Sequence, residues 1–203
     1  MKARVISQET SMSAIQSHSL VKSSQQGLSL IEVSIVTAIV LLLAIIGVPA
    51  IGAYVVENKV PKVGEEIARF ILQTKVNASN ATAAPYQGID TANFANLVRD
   101  SSIFAVSGEG STLKVLHGLG GEGQVSVAAE EAGASFSITL SKVHNAACPS
   151  IASILQRVSD SMTVAPGGQG ATVIKSDTVL YSALAAESRC AKGDVNTFVF
   201  TAG

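Results

Sequence analysis

The sequence predicts an α+β chain: one very long N-terminal helix followed by a strand-rich C-terminal half. Three observations carry that reading. From Val33 to Val56 there is no charged residue, and the only hydroxyls are those of Ser34, Thr37 and Tyr54. At about 1.5 Å per residue this run is roughly 36 Å of helix, enough to cross a hydrocarbon core of about 30 Å. Beyond Val56, Glu57, Lys59, Lys62, Glu65, Glu66, Arg69 and Lys75 interleave with Val60, Val63, Ile67, Phe70 and Ile71 at helical spacing, so the same helix continues with one apolar face. From residue 112 onward the pattern turns to short β-prone runs bounded by glycine and polar clusters.

Residues 1–27 are polar and rich in Ser and Gln. They carry Lys2, Arg4 and Lys22 against Glu9 and read as a leader without a core of its own. Positive charge ahead of an apolar run predicts that this leader stays cytoplasmic and that the C-terminal part is exported. A rival reading makes 33–56 the core of an ordinary signal peptide cut near Ala50 or Ala53, but such cores span only about 7–15 residues. A helix from about Leu28 to Asn77 is roughly 75 Å long. A domain of this size cannot bury that length, so the first half must pack on lipid or on other copies. Pro49 and Pro61 should kink or loosen the helix, and Gly47, Gly52 and Gly64 add weak points.

Residues 80–111 form a connector, turn-rich at Ala83–Gly88. Asp90 or Thr91 caps a short helix through Arg99 that buries Phe94, Leu97 and Val98. Thr112–His117 and Gln124–Ala128 form a hairpin across the glycine loop 118–123. That loop lacks a following Lys-Ser/Thr and opens no helix, so it is a turn and not a phosphate cradle. Ser135–Val143 alternates as a half-buried strand. A helix starts at Cys148, with Pro149 in its first turn, and runs to Val158. Ser161–Ala165 and Ala171–Lys175 are short strands, 181–188 contains a helical turn, and Asn196–Thr201 is the last strand.

Charged residues are 14% of the 203 and the net charge is −1, which leaves no basic footprint for nucleic acid. No second apolar run rivals 33–56, so the chain is not polytopic. In an exported domain the two cysteines, Cys148 and Cys190, form one disulfide; the alternative is a pair of buried thiols. His18, His117 and His144 are scattered and read as surface or structural residues, with no metal-ligand spacing. Glu130-Glu131 reads as a solvated loop, and Asp177 and Asp194 lack a calcium pattern. No nucleophile has a placed base, so no enzyme activity and no cofactor are expected.

Gly27-Leu28-Ser29-Leu30-Ile31-Glu32, followed by the apolar run, resembles the type IV prepilin signature. The resemblance implies cleavage by a prepilin peptidase between Gly27 and Leu28, methylation of the new amine, and use of Glu32 in filament assembly. Pro49 and Tyr54 fall where many pilins carry a kinking proline and a tyrosine. Farther on, ITLSKVHNAACPSIASIL and ESRCAKGDVNTFVF are similar to type IVb pilins, including toxin-coregulated and bundle-forming pilins. The long leader and Leu28 as first mature residue fit that class. The resemblance implies an antiparallel sheet laid on the C-terminal half of the helix, with a disulfide-bounded region 148–190 at the edge.

The expected organisation is a leader 1–27, a membrane or filament-core segment 28–56 and an exported head 57–203. The expected function is a structural subunit of a type IV pilus serving adhesion, aggregation or conjugative contact. Its partners are other copies, the peptidase/methylase, an assembly platform and the inner membrane of a Gram-negative cell, before display in a surface filament. Two alternatives are a type II secretion pseudopilin and a membrane-anchored exported domain that never polymerises. Glu32 separates the latter, since an anchor has no evident use for a carboxylate there.

Overall fold

A computed structural model describes residues 29–78 and 82–203, with the side chains of 48–50 left undescribed. Contacts divide the chain into two compact units, one ending at Leu42 and one running from Leu43 to Gly203. The described part of the first is the start of helix α1 (Leu30–Asn77), which is assigned as a single helix through Pro49 and Pro61. In the second unit α1 continues and meets the rest of the head.

After α1 come α2 (Thr91–Val98), β1 (Ala105–Ser107), β2 (Lys114–Leu116), β3 (Gln124–Glu130), β4 (Ser135–His144), α3 (Cys148–Leu155), β5 (Ser161–Pro166), β6 (Thr172–Lys175), α4 (Ala183–Ser188) and β7 (Asp194–Ala202). The seven strands form one antiparallel sheet in the order β1-β2-β3-β4-β7-β5-β6. The last strand thus lies in the middle, between β4 and β5. The chain between β4 and β7 builds α3, the β5–β6 edge and α4 before returning. The fold is therefore a long helix packed on an antiparallel sheet, as expected.

The α1 stripe Val60, Val63, Ile67, Phe70 and Ile71 is buried, as helical spacing requires. Phe70 meets the edge of Phe94 from α2 at 5.2 Å and of Phe136 from β4 at 6.4 Å. All six phenylalanines of the chain are buried, so an aromatic-poor sequence spends every one on the core. Asp90 caps α2: its carboxylate accepts from Ala92 N and Asn93 N, and the Asn93 side chain accepts from Asp90 N at 2.8 Å.

Several expectations need correction. Strand β1 lies in what reads as a connector; three residues are too few to show a period. Strand β4 is half-buried only from Thr139 on. Its first four residues, Ser135, Phe136, Ser137 and Ile138, are all buried, with the two small serines donating to the Glu131 and Glu130 carboxylates. Helix α3 stops at Leu155, three residues early, and Lys175 Nζ donates to the carbonyls of Gln156 and Ser159 just past its end, where a cation is favourable. Gly64 is no weak point but a close-packing site: a Cβ there would lie 2.8 Å from Ile154 Cγ2 of α3. Glu130 and Glu131 are not merely solvated, since Ser137 Oγ and Ser135 Oγ donate to their carboxylates at 2.7 and 3.4 Å.

Candidate assembly helix and disulfide-bounded region

Among the described residues, the large apolar side chains from Leu30 to Ile46 are all exposed, Leu30 by 91% and Ile45 by 72%; farther along, Ile51, Tyr54 and Val55 are exposed too. Among the described residues, nothing covers them. The two hydroxyls of this stretch are satisfied inside the helix: Ser34 Oγ donates to Ile31 O at 2.9 Å and Thr37 Oγ1 to Val33 O at 2.7 Å. The surface thus offers hydrocarbon with its polar atoms turned inward, as an apolar environment requires. Among the described residues α1 is the one helix long and apolar enough to cross a membrane.

Glu32 sits in the first turn of α1 and accepts a hydrogen bond from Ser29 N at 2.9 Å. Ser29 Oγ accepts in turn from Ile31 N at 3.4 Å. Ser29-x-x-Glu32 is a capping-box pattern, legible in the sequence but masked there by the prepilin resemblance. The carboxylate therefore has a local partner, and an anchor would have a use for it. That removes Glu32 as a discriminator by its mere presence. Gly27 and Leu28, the expected processing site, lie outside the described residues. The backbone at Pro49 is helical, and its side chain lies outside the described set.

Cys148 and Cys190 are joined by a disulfide with Cα atoms 6.4 Å apart. It ties the first residue of α3 to the segment following α4, closing the excursion that carries β5 and β6. Hydrogen bonds pin the same region. Ser153 Oγ lies 2.8 Å from Tyr181 Oη, and Asn196, fully buried, donates to Val143 O at 3.0 Å and Ala191 O at 2.9 Å while accepting from Ala191 N at 2.8 Å. Every polar atom of the Asn196 amide is used, which holds the turn after Cys190 against β4. On its outer side this region presents Leu180 and Leu184, 93% and 76% exposed, neither singled out by the sequence reading. Among the described residues, no cluster of three or more His, Cys, Asp or Glu could hold a metal ion.

A family model described as PilS N terminal matches residues 65–203, about two-thirds of the chain. The chain belongs to the PilS N-terminal family. This is a pilin-like, pilus-related family. The match begins inside α1, beyond the apolar run, so the head alone carries it. The N-terminal signature is an independent observation on different residues. A comparison with curated proteins gives no match. For a PilS-family head, self-assembly into a pilus follows at the level of the family, and the exposed apolar half of α1 fits a membrane-anchored or surface-pilus location.

Proposed function

We propose that the chain is a structural subunit of a type IV pilus of the b class, made as an inner-membrane precursor and cleaved between Gly27 and Leu28. The observation that carries this reading is the pairing, in one chain, of a PilS-family head with a bare apolar half-helix. Before assembly, lipid covers residues 30–56. In the filament, the same residues of other copies replace lipid. A heterologous contact that does not close on itself then generates a helical polymer. Burying one large apolar side chain contributes about 1.5–3 kcal/mol relative to water, and lipid supplies as much. Transfer from membrane to filament is therefore nearly neutral in hydrophobic terms, and head contacts and the α1 start decide its direction.

The role is structural and non-catalytic, with the peptidase/methylase and the assembly platform as processing partners. Adhesion, aggregation and conjugative contact are the uses such a fibre would serve. The test is electron microscopy of fibres sheared from cells, with intact-mass analysis of their subunit. Fibres built of a subunit that begins at Leu28 with a methylated amine support the reading. A surface protein that retains Met1, with no fibres, overturns it.

The Ser29–Glu32 cap favours a second reading, an anchored exported domain that does not polymerise. Cells without fibres but with a membrane-held, disulfide-bonded protein would select it. A pseudopilin role fits less well with the disulfide-bounded region.

A further inference from the structure

The glycine loop 118–123 is held by a buried histidine. His117 closes β2 and is fully buried. Leu119 N donates to its Nδ1 at 3.0 Å, and its Nε2 lies 2.9 Å from Ser141 O. A backbone N–H can only donate and a carbonyl can only accept, so the ring is neutral with the proton on Nε2. Around it the loop is clamped. His144 N donates to Leu119 O at 2.8 Å, His117 N to Gly123 O at 3.1 Å, and Gly121 N to Asp194 Oδ2 at 2.7 Å. Leu119 is fully buried beneath it. There is no slack: a Cβ at Gly123 would run into the His117 ring, and one at Gly120 into the Lys142 carbonyl. That carbonyl is presented by a bulge in β4, where Lys142 adopts φ +52°.

We propose that His117 is an acid-released latch: neutral, it holds the 118–123 loop against β4 and β7, and on protonation it lets the loop go and bares Leu119. A proton added at Nδ1 would point at the Leu119 N–H, replacing a hydrogen bond with two opposed donors. Burial holds the imidazole below its ordinary value of 6.5, against the raising effects of the Ser141 carbonyl and Asp194. Other charged and titratable groups around the loop are Lys59 of α1, beside Gly118, the exposed Lys142–Glu122 pair at 3.4 Å, and His144, whose Nδ1 accepts from Ala146 N. Among the described residues Asp194 Oδ1 is buried without a hydrogen-bond partner, so it offers the imidazolium an acceptor once the ring leaves Leu119.

The direction follows from linkage. Above pH 6.5 the ring is neutral whether latched or released, and the latch holds in full. As pH falls below that value the released ring takes a proton that the latched ring refuses, so the opening constant rises up to about tenfold per pH unit. The rise stops once the latched ring also titrates.

The test is hydrogen exchange of the full-length, disulfide-intact chain in detergent micelles, from about pH 7.5 to about pH 5, corrected for intrinsic exchange. Residues 117–124 should open up to about tenfold more per pH unit below 6.5, while residues 136–140 of β4 stay flat. The loop of His117→Asn should show no such slope. Equal slopes in loop and strand, a flat wild-type loop, or a variant that keeps the wild-type slope would each overturn the latch. Should the variant not fold, NMR titration of the wild-type His117 ring decides: a midpoint below 6.5 supports the latch, and one at or above 6.5 overturns it.

Discussion

Gly64 offers a test of the helix-to-head packing in which the sign of an effect, not only its size, is predicted. Gly64 is buried in α1, and a Cβ added there would sit 2.8 Å from Ile154 Cγ2, 3.1 Å from Cδ1 and 3.3 Å from Cβ. Gly64→Ala carries two opposed terms. Alanine is favoured over glycine in a helix interior by about 0.8–1 kcal/mol. Overpacking a filled site costs about 1–3 kcal/mol. The nearest atom, Cγ2, is fixed directly to Cβ of a β-branched residue that is stiff at χ1, so it cannot swing away cheaply. The packing cost should win, leaving Gly64→Ala less stable by about 1 kcal/mol. Ile154→Ala removes Cγ2 and Cδ1 and leaves only Cβ at 3.3 Å, so in that background most of the packing cost is gone and Gly64→Ala becomes stabilising, by at most about 0.8–1 kcal/mol. Ile154→Val keeps Cγ2 and should not rescue. Urea unfolding of the oxidised full-length chain in detergent gives all six midpoints. A Gly64→Ala chain more stable than wild type by about 1 kcal/mol would refute the close contact. So would a cycle with no coupling between positions 64 and 154.

Further predictions follow from the disulfide, the start of α1 and the leader. Cys148→Ser should lower stability by about 4 kcal/mol in the chain-entropy model for a 42-residue closure, read as a urea midpoint shift that reductant reproduces in wild type. Glu32→Gln keeps a side-chain acceptor for Ser29 N and loses the charge, whereas Glu32→Ala loses both. If the carboxylate pairs with the amine of Leu28 during assembly, both variants should be cleaved, membrane-held and fibre-poor; normal fibres from Glu32→Gln alone would show that it serves as a cap. A bulky residue at Gly27 should block maturation, leaving an intact mass that includes the leader.

Residues whose role follows from one-dimensional patterning were legible at once. The uncharged run 33–56, the heptad-like stripe from Val60 to Ile71 and the Asp90 cap each depend on neighbours within a turn or two, so the linear order states them. The Ser29–Glu32 cap is equally local, on a glutamate that also completes the prepilin-like pattern. The Cys148–Cys190 bond is the expected reading of two cysteines in an exported domain, with buried thiols the alternative, and the structure joins them.

What only the tertiary structure decided lies where distant segments meet. No periodicity says that the last strand enters the middle of the sheet, that the first four residues of β4 are all buried, or that three residues at Ala105–Ser107 pair with β2. Gly64 looks like a helix breaker until Ile154, ninety residues on, is set against it. His117 looks like a scattered histidine until Leu119 N and Ser141 O close on its two nitrogens. The physical reason is the same in each case. Backbone propensity and hydrophobic period act over a few residues, whereas close packing and hydrogen-bond satisfaction of buried groups are set by whichever residues the fold brings within about 4 Å, at any separation along the chain.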